Sequence, residues 1–240
     1  MILHTNIIGE GEPIVFLHSG LQTGESDFIY QCEHFSKNYK VILPDLRGHG
    51  RSNVDQFDIV NFFEDSAKDL KDTLEFLRIE KTHIVGGSLG ALVGLVFAKR
   101  FPDRVSSLTL SGITSEKPHN WDELQLIDAH MQMAVLENRE SVNYFNQLHL
   151  SNWQSFIRQS QEVDWYPFNE TGDVSSIRCP ALIIVGEGMW HEVSGALNYR
   201  KKNDRFHMAV VPFAAHLVHN EQPEVYTVIL EKFLKSIERE

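Results

Sequence analysis

The chain has 240 residues, of which 42% are hydrophobic and 23% are charged, a balance typical of a globular domain that excludes a disordered or fibrous chain. Its 22 Lys and Arg against 33 Asp and Glu give a formal net charge of -11, which opposes binding to nucleic acid or to an anionic membrane surface. We therefore expect a small-molecule substrate, with neither nucleic acid nor membrane as a partner.

The cysteines and the opening residues bear on the compartment. Cys32 and Cys179 match no metal-ligand spacing, so we expect two reduced, partly buried thiols. The opening sequence MILHTNIIGEGEP has neither the basic start nor the long apolar run of a signal peptide. No stretch reaches the roughly 18 apolar residues of a membrane span. These features predict a cytoplasmic protein.

Short apolar runs alternate with amphipathic stretches along the first half of the chain. This alternation predicts an α/β fold, a mostly parallel, twisted sheet with helices on both faces. The strands are predicted over residues 14–17, 41–43, 82–86 and 105–110, and the helices over residues 28–35, 62–77 and 91–101.

The pattern changes between residues 113 and 177, where strand signals disappear and Trp121, Trp153 and Trp165 occur. We predict a small helical cap there, inserted into a core made of residues 1–112 and 178–240. The tryptophans either stack on a substrate or form the core of the cap itself. After the cap, strands are predicted over 181–185 and 208–211, and helices around 195–201 and over 221–237.

A G-x-S-x-G pattern occupies residues 86–90, between a predicted strand and a predicted helix. In such a turn the serine is lifted out of the sheet, and the crowded backbone requires glycines at the flanking positions. The N-terminal N–H groups of the next helix stabilise an oxyanion at the same place. An ordinary glycine-rich turn is the alternative, but the strand and helix on either side favour Ser88 as a nucleophile.

Four segments together resemble the α/β-hydrolase fold family, in particular its small esterases, lactonases and carbon-carbon bond hydrolases. They are VFLHSG at 15–20, DLRGHGRS at 45–52, GGSLG at 86–90 and HLVHNEQPE at 216–224. The resemblance extends from about residue 11 to the C-terminus, apart from the cap. It implies an α/β-hydrolase fold and a serine hydrolase that needs no cofactor and no metal.

The resemblance also implies which histidine is the general base. A serine hydroxyl is a poor nucleophile unless an imidazole within about 3 Å accepts its proton. His216 matches the H-x-x-x-x-E-x-P pattern with Glu221 and Pro223. His219 lies outside that match and is expected to be a loop or surface histidine. A metal site at His216 and His219 would need further ligands, and none is spaced for it.

The acid of a catalytic triad is where the sequence departs from the family. The family carries an aspartate where this chain has Met189, and a methionine cannot accept the Nδ1 proton of His216. Glu192, at the end of the same predicted loop, is our first choice. Glu187, Glu116 and a dyad without any acid stay open as alternatives.

The family also supplies candidates for the oxyanion hole. The backbone N–H groups of Gly20 and Leu89 match the two donors, and losing one such donor typically costs about 2.7 to 4 kcal/mol of barrier. His18 is expected to brace its loop by hydrogen bonding. The polar residues of the segment at 45–52 are likewise expected to hold that loop beneath the site.

These features predict hydrolysis of an ester, thioester or lactone of a small, apolar acyl substrate through acyl transfer to Ser88. Two alternatives stay open. The same residues suit carbon-carbon bond hydrolysis of a diketone-like compound. A non-catalytic ligand receptor or signalling protein on the same fold is favoured by Met189 at the acid position.

Overall fold

The computed structural model describes residues 1–237, and within them one sheet of seven strands forms in the order β1-β3-β2-β4-β5-β6-β7. Only the pairing of β1 with β3 is antiparallel, and all other neighbours are parallel. The strands are β1 Thr5–Ile8, β2 Glu12–Leu17, β3 Tyr39–Pro44, β4 Thr82–Gly87, β5 Val105–Ser111, β6 Ala181–Gly186 and β7 Phe206–Val211.

Helices connect these strands and cover both faces of the sheet. They are α1 Ile29–Phe35, α2 Phe62–Phe76, α3 Leu89–Arg100, α4 Trp121–Glu137, α5 Arg139–Leu148, α6 Trp153–Glu162, α7 Phe168–Thr171, α8 Trp190–Lys202, α9 Val218–Glu221 and α10 Pro223–Ile237. A short 3₁₀ turn at Pro102–Arg104 precedes β5. The predicted α/β fold class is confirmed.

The central strands are apolar on both sides because helices cover both faces of the sheet. In β2, Val15 and Leu17 point into an apolar cluster that includes residues of α2 and α3. Ile14 and Phe16, which alternate with them, point into a second cluster that includes residues of α1 and α10. The period of two in a strand thus divides one apolar run between two cores.

Two element boundaries differ from the predictions. Strand β1 was not expected, because Thr5–Ile8 is an edge strand whose residues are half-buried or exposed, so it lacks a strong apolar signal. Helix α8 begins at Trp190 rather than near residue 195. Its first turn has His191 and Glu192 between Trp190 and Val193, so it lacks the repeated apolar spacing by which a helix is recognised.

The segment between β5 and β6 contains the four helices α4 to α7 and, among the described residues, no strand. Trp153 is 3% exposed, Trp165 stacks on Phe63 with ring centroids 6.1 Å apart, and Trp121 meets Tyr166 at 5.1 Å. The tryptophans therefore take part in the packing of this segment. Its division from the core at residues 113 and 177 stays a prediction.

Across residues 1–237, none of the helices combines the length and the apolar character that crossing a membrane requires.

Candidate active site

Ser88 lies on the turn between β4 and α3, with φ 49° and ψ -114°. Such a backbone is strained for a residue with a side chain, and its N–H donates to Ser111 O at 2.8 Å. The turn is possible because its flanking glycines touch backbone. A Cβ on Gly90 would lie 2.1 Å from Leu17 O, and one on Gly86 would lie 2.5 Å from Gly90 O.

His216 stands in the loop that follows β7, and its Nε2 is 2.9 Å from Ser88 Oγ. The loop is clamped by Glu221, whose carboxylate accepts the backbone N–H groups on both sides of the histidine. Ala215 N donates at 2.6 Å and Leu217 N donates at 2.8 Å. The H-x-x-x-x-E spacing therefore fixes the imidazole through the backbone.

Glu192 supplies a carboxylate at the other ring nitrogen. Its Oε1 lies 2.6 Å from His216 Nδ1, and the side chain is 2% exposed. Glu192 is in the first turn of α8, and Met189 is the residue just before this helix. The N–H of Glu192 donates to Met189 O at 2.9 Å. The glutamate thus comes from the helix and not from the loop where the sequence placed it. Its longer side chain compensates for a position three residues further on than the family's acid.

The two other candidate acids have different partners. Glu187 Oε1 accepts the N–H of Phe213 at 2.8 Å and holds the loop before the histidine. Glu116 Oε1 pairs with Lys202 Nζ at 3.1 Å on an exposed surface. Neither carboxylate bonds to His216 in the described structure, and a dyad without an acid is not the arrangement observed.

Glu192 also determines the basicity of His216. Desolvation alone lowers the pKa of an imidazole, but the hydrogen bond and charge of Glu192 outweigh it, with smaller contributions from Asp128 and Glu221. The pKa of His216 therefore lies above its ordinary value of 6.5. A neutral imidazole accepts the serine proton, and the imidazolium that forms is stabilised by the carboxylate.

Gly20 and Leu89 lie side by side next to Ser88. A Cβ on Gly20 would be 4.0 Å from Leu89 Cβ and 3.9 Å from Phe156 Cε1 of α6. Leu89 is the first residue of α3, where backbone N–H groups have no acceptor within the helix. This placement suits an oxyanion hole formed by the two N–H groups.

The loops beneath the site are held by buried polar side chains. His18 Nδ1 donates to Ser19 O at 2.8 Å, and His18 Nε2 accepts the N–H of Leu46 at 2.8 Å. Asp45 accepts the N–H groups of Gly24 at 2.9 Å and Arg51 at 2.8 Å. These contacts are the bracing role that we expected for His18 and for the segment at 45–52.

His219 corrects a prediction, since it is neither a surface nor a loop residue. It lies in α9, is 1% exposed and stacks on Phe28 with ring centroids 3.9 Å apart. Its Nε2 bonds to Asp27 Oδ1 at 2.8 Å. The sequence reasoning missed Asp27 because a contact across 192 positions of the chain leaves no local pattern.

Within residues 1–237, no group of three or more His, Cys, Asp or Glu side chains is arranged to hold a metal ion. Both ring nitrogens of His216 are engaged, by Glu192 and Ser88.

The sheet, the strand-turn-helix that carries Ser88 and the histidine after the last strand define a hydrolase of the α/β class. The family model for the α/β hydrolase fold matches residues 12–132, which is half of the chain. The chain belongs to the α/β-hydrolase fold family.

Individual relatives agree with this assignment. The serine hydrolase BPHL of Homo sapiens is 26% identical in an alignment 252 residues long that covers 97% of this chain and 83% of that protein. The 2-hydroxy-6-oxononadienedioate/2-hydroxy-6-oxononatrienedioate hydrolase of Comamonas testosteroni is 36% identical over 117 residues, 46% of this chain and 39% of that protein. The crystal structure of NosK from Streptomyces actuosus has a TM-score of 0.78 and 24% identity, covering 95% of this chain and 100% of NosK.

Proposed function

We propose that the protein is a carboxylesterase-like serine hydrolase with Ser88 as nucleophile, His216 as general base and Glu192 as the acid of the triad. The observation that carries this proposal is the continuous pair of hydrogen bonds from Glu192 Oε1 to His216 Nδ1 at 2.6 Å and from His216 Nε2 to Ser88 Oγ at 2.9 Å. Nucleophile, base and orienting carboxylate within hydrogen-bond reach are the geometry of acyl transfer.

The reaction proceeds in two steps. Ser88 Oγ attacks the carbonyl carbon while His216 Nε2 takes the hydroxyl proton, and the N–H groups of Gly20 and Leu89 hold the resulting oxyanion. The imidazolium then gives that proton to the leaving oxygen or sulfur, and an acyl-enzyme remains. Water attacks the acyl-enzyme with His216 again as base, and the proton returns to Ser88 Oγ as the acid product leaves.

The substrate that fits is an ester, thioester or lactone with a small, apolar acyl group. The charge of Asp128 on α4 supports an uncharged acyl group. Desolvation raises the pKa of this carboxyl, and the attraction of His216 opposes that shift, so Asp128 and His216 are close enough to interact electrostatically. Among the described ion pairs, Asp128 has no Lys or Arg partner. A substrate carboxylate placed near His216 would be repelled by Asp128.

Carbon-carbon bond hydrolysis is the second candidate, and the similarity to the Comamonas testosteroni hydrolase favours it. The dioates in that relative's name are anionic, and Asp128 opposes such a charge. The receptor alternative rested on the missing acid at Met189, and Glu192 at His216 Nδ1 removes that support. We place ester hydrolysis first for these two reasons.

The test is a panel of p-nitrophenyl esters of rising acyl chain length, with the Ser88→Ala variant as the control. We expect turnover that favours short acyl chains and disappears in the variant. A dioate of the carbon-carbon cleavage class is assayed beside the panel. Cleavage of the dioate with no turnover of any ester would select the second candidate, and no turnover of either would reject the enzyme proposal.

A cytoplasmic location is part of the proposal. Cys32 and Cys179 are both free and buried, which suits a reducing compartment. Burial raises the pKa of the Cys32 thiol to about 12 and that of Cys179 to about 11, so both stay protonated and unreactive near neutral pH.

A further inference from the structure

A buried carboxylate, Asp27, lies behind the site in the loop between β2 and α1. Its Oδ2 accepts the backbone N–H of Ser19 at 2.8 Å. Its Oδ1 accepts from His219 Nε2 at 2.8 Å and from Asn220 Nδ2 at 3.0 Å. The side chains of His219 and Asp27 are 0% and 1% exposed, so these bonds form away from solvent.

The groups that Asp27 joins belong to two different parts of the candidate site. Ser19 immediately precedes Gly20, the residue placed at the oxyanion hole. His219 and Asn220 lie on α9, which begins just after His216. One carboxylate therefore ties the oxyanion loop to the segment that carries the base.

The third part of the site touches the same pair. A Cβ on Gly87 would lie 2.9 Å from His219 Cε1 and 3.1 Å from Ser19 Oγ. Gly87 immediately precedes Ser88, so the imidazole of His219 packs directly against the turn that presents the nucleophile. The main-chain oxygen of His219 is itself held by Gln31 Nε2 at 3.0 Å.

The charge of Asp27 is stable in this environment. Burial by itself raises the pKa of a carboxyl, but the bonds from His219, Ser19 and Asn220 outweigh it, and the pKa of Asp27 lies well below its ordinary value. A buried carboxylate is costly unless all its partners are kept, so removing one donor or the charge disturbs every segment that it joins.

We propose that Asp27 and His219 are positioning residues that hold the nucleophile turn, the oxyanion loop and the base loop in one catalytic arrangement. The pair touches no reacting atom and acts through Gly87, Ser19 and the start of α9. The effect on kcat rests on the proposed function, whereas the arrangement of the three segments can be followed by NMR without a substrate.

The experiment compares Asp27→Asn and His219→Gln with Asp69→Asn. Asp69 is also buried, accepts from Arg47 Nε at 2.8 Å and lies on α2, away from the three site segments. Asp27→Asn removes the charge that joins the segments, and His219→Gln removes the imidazole that packs on Gly87. Asp69→Asn removes a buried charge that contacts none of the three site segments. A displacement of about 1 Å can cost roughly 100-fold in rate, so we expect kcat to fall 10- to 100-fold with KM nearly unchanged.

Two readouts separate positioning from general stability. The rate is expressed per folded molecule, with the folded fraction measured by urea unfolding, and Asp69→Asn is expected to lower stability while keeping kcat within twofold of the wild type. The second readout is the ¹H NMR signal of the His216 Nδ1 proton, which the Glu192 bond holds in place. We expect this signal to shift or broaden in Asp27→Asn and His219→Gln and to stay in Asp69→Asn.

The outcomes are distinct. If Asp27→Asn does not fold, His219→Gln decides alone, since it keeps a donor for Asp27 and is the milder change. A kcat within twofold of the wild type and an unmoved His216 signal in the folded variants would overturn the positioning role. A wild type that turns over no ester contradicts the proposed function instead, and the NMR comparison still decides the role of the pair.

Discussion

The polar side chains at the end of the sheet and the helices α4 and α5 are held in opposite ways. Around the site, Glu192 and His219 are 2% and 1% exposed, and each has a bond to another site segment. Helices α4 and α5, in contrast, contain no buried residue, and Leu126 on α4 is 59% exposed. The proposed catalytic side chains are thus fixed by buried polar contacts, whereas α4 and α5 are lightly packed.

The difference between these two regions predicts which substitutions change the catalytic rate and which change substrate preference. A residue that acts through a fixed hydrogen bond loses its effect when the bond is removed, so substitutions at the end of the sheet should change kcat strongly. A residue on a lightly packed helix acts through charge or shape on the substrate, so substitutions on α4 should change substrate preference and leave the chemistry intact.

The largest expected effect is that of Glu192→Gln. The variant keeps the shape of the side chain but removes the charge that stabilises the imidazolium and fixes its tautomer, and loss of a triad acid can cost about 10⁴-fold in kcat. Steady-state kinetics on the best p-nitrophenyl ester measure it. Glu116→Gln is the matched control, since Glu116 pairs with Lys202 on the surface, and it is expected to keep wild-type kcat. Equal kcat in the two variants would contradict the assignment of the acid.

Moderate effects are expected from Glu221→Gln, which tests the backbone clamp around His216. One amide oxygen replaces two carboxylate oxygens that accept the N–H groups of Ala215 and Leu217, so the imidazole is held less firmly. We expect kcat to fall roughly 10-fold with KM nearly unchanged, by the same positioning argument. An unchanged kcat with a lowered melting temperature would show that Glu221 acts on stability alone.

The pH profile of kcat/KM should reveal the ionisation of His216 in the free enzyme. Only the neutral imidazole accepts the serine proton, so the rate should rise with pH and level off. Because Glu192 raises the pKa of His216, the midpoint should lie above 6.5 in the wild type and fall in Glu192→Gln. A rate that is flat from acid to neutral pH, or a midpoint that Glu192→Gln leaves in place, would argue against this pair.

The smallest effect is expected on α4, where Asp128→Asn removes the charge near His216. Two like charges that are not in contact near a protein surface interact by less than about 1 kcal/mol, so kcat/KM for an ester with an acyl carboxylate should rise about twofold at low salt. The neutral ester of the same length should be unaffected. Asp122→Asn, in the exposed first turn of the same helix, serves as the control. A change of equal size with the neutral ester would refute a charge effect.

The sheet, its covering helices and the turn at Ser88 could be predicted from local sequence patterns. The periodicity of the apolar runs predicted the sheet and its covering helices, because burial on two faces leaves a local pattern. The turn around Ser88 was equally visible, since close backbone approach requires Gly86 and Gly90. Strand β1 escaped prediction because an exposed edge strand carries little apolar signal.

The side chains that meet across the chain were harder to predict. The sequence favoured Glu192 as the partner of His216 but left Glu187, Glu116 and a dyad open, because the contact depends on α8 beginning at Trp190 and turning Glu192 inward. The pairing of Asp27 with His219 was missed altogether. It is formed by segments far apart in sequence, and an aspartate is rarely fully buried, so burial of the pair was not expected.

The central claim is that the bonds from Glu192 through His216 activate Ser88, and covalent labelling by a fluorophosphonate probe tests it most directly. The probe reacts with an activated serine and needs no knowledge of the substrate. We expect peptide mass spectrometry to find the label on Ser88, with a labelling rate that falls sharply in Glu192→Gln and is unchanged in Glu116→Gln. Labelling of another serine, no labelling of the native protein, or equal rates in the two variants would contradict the account.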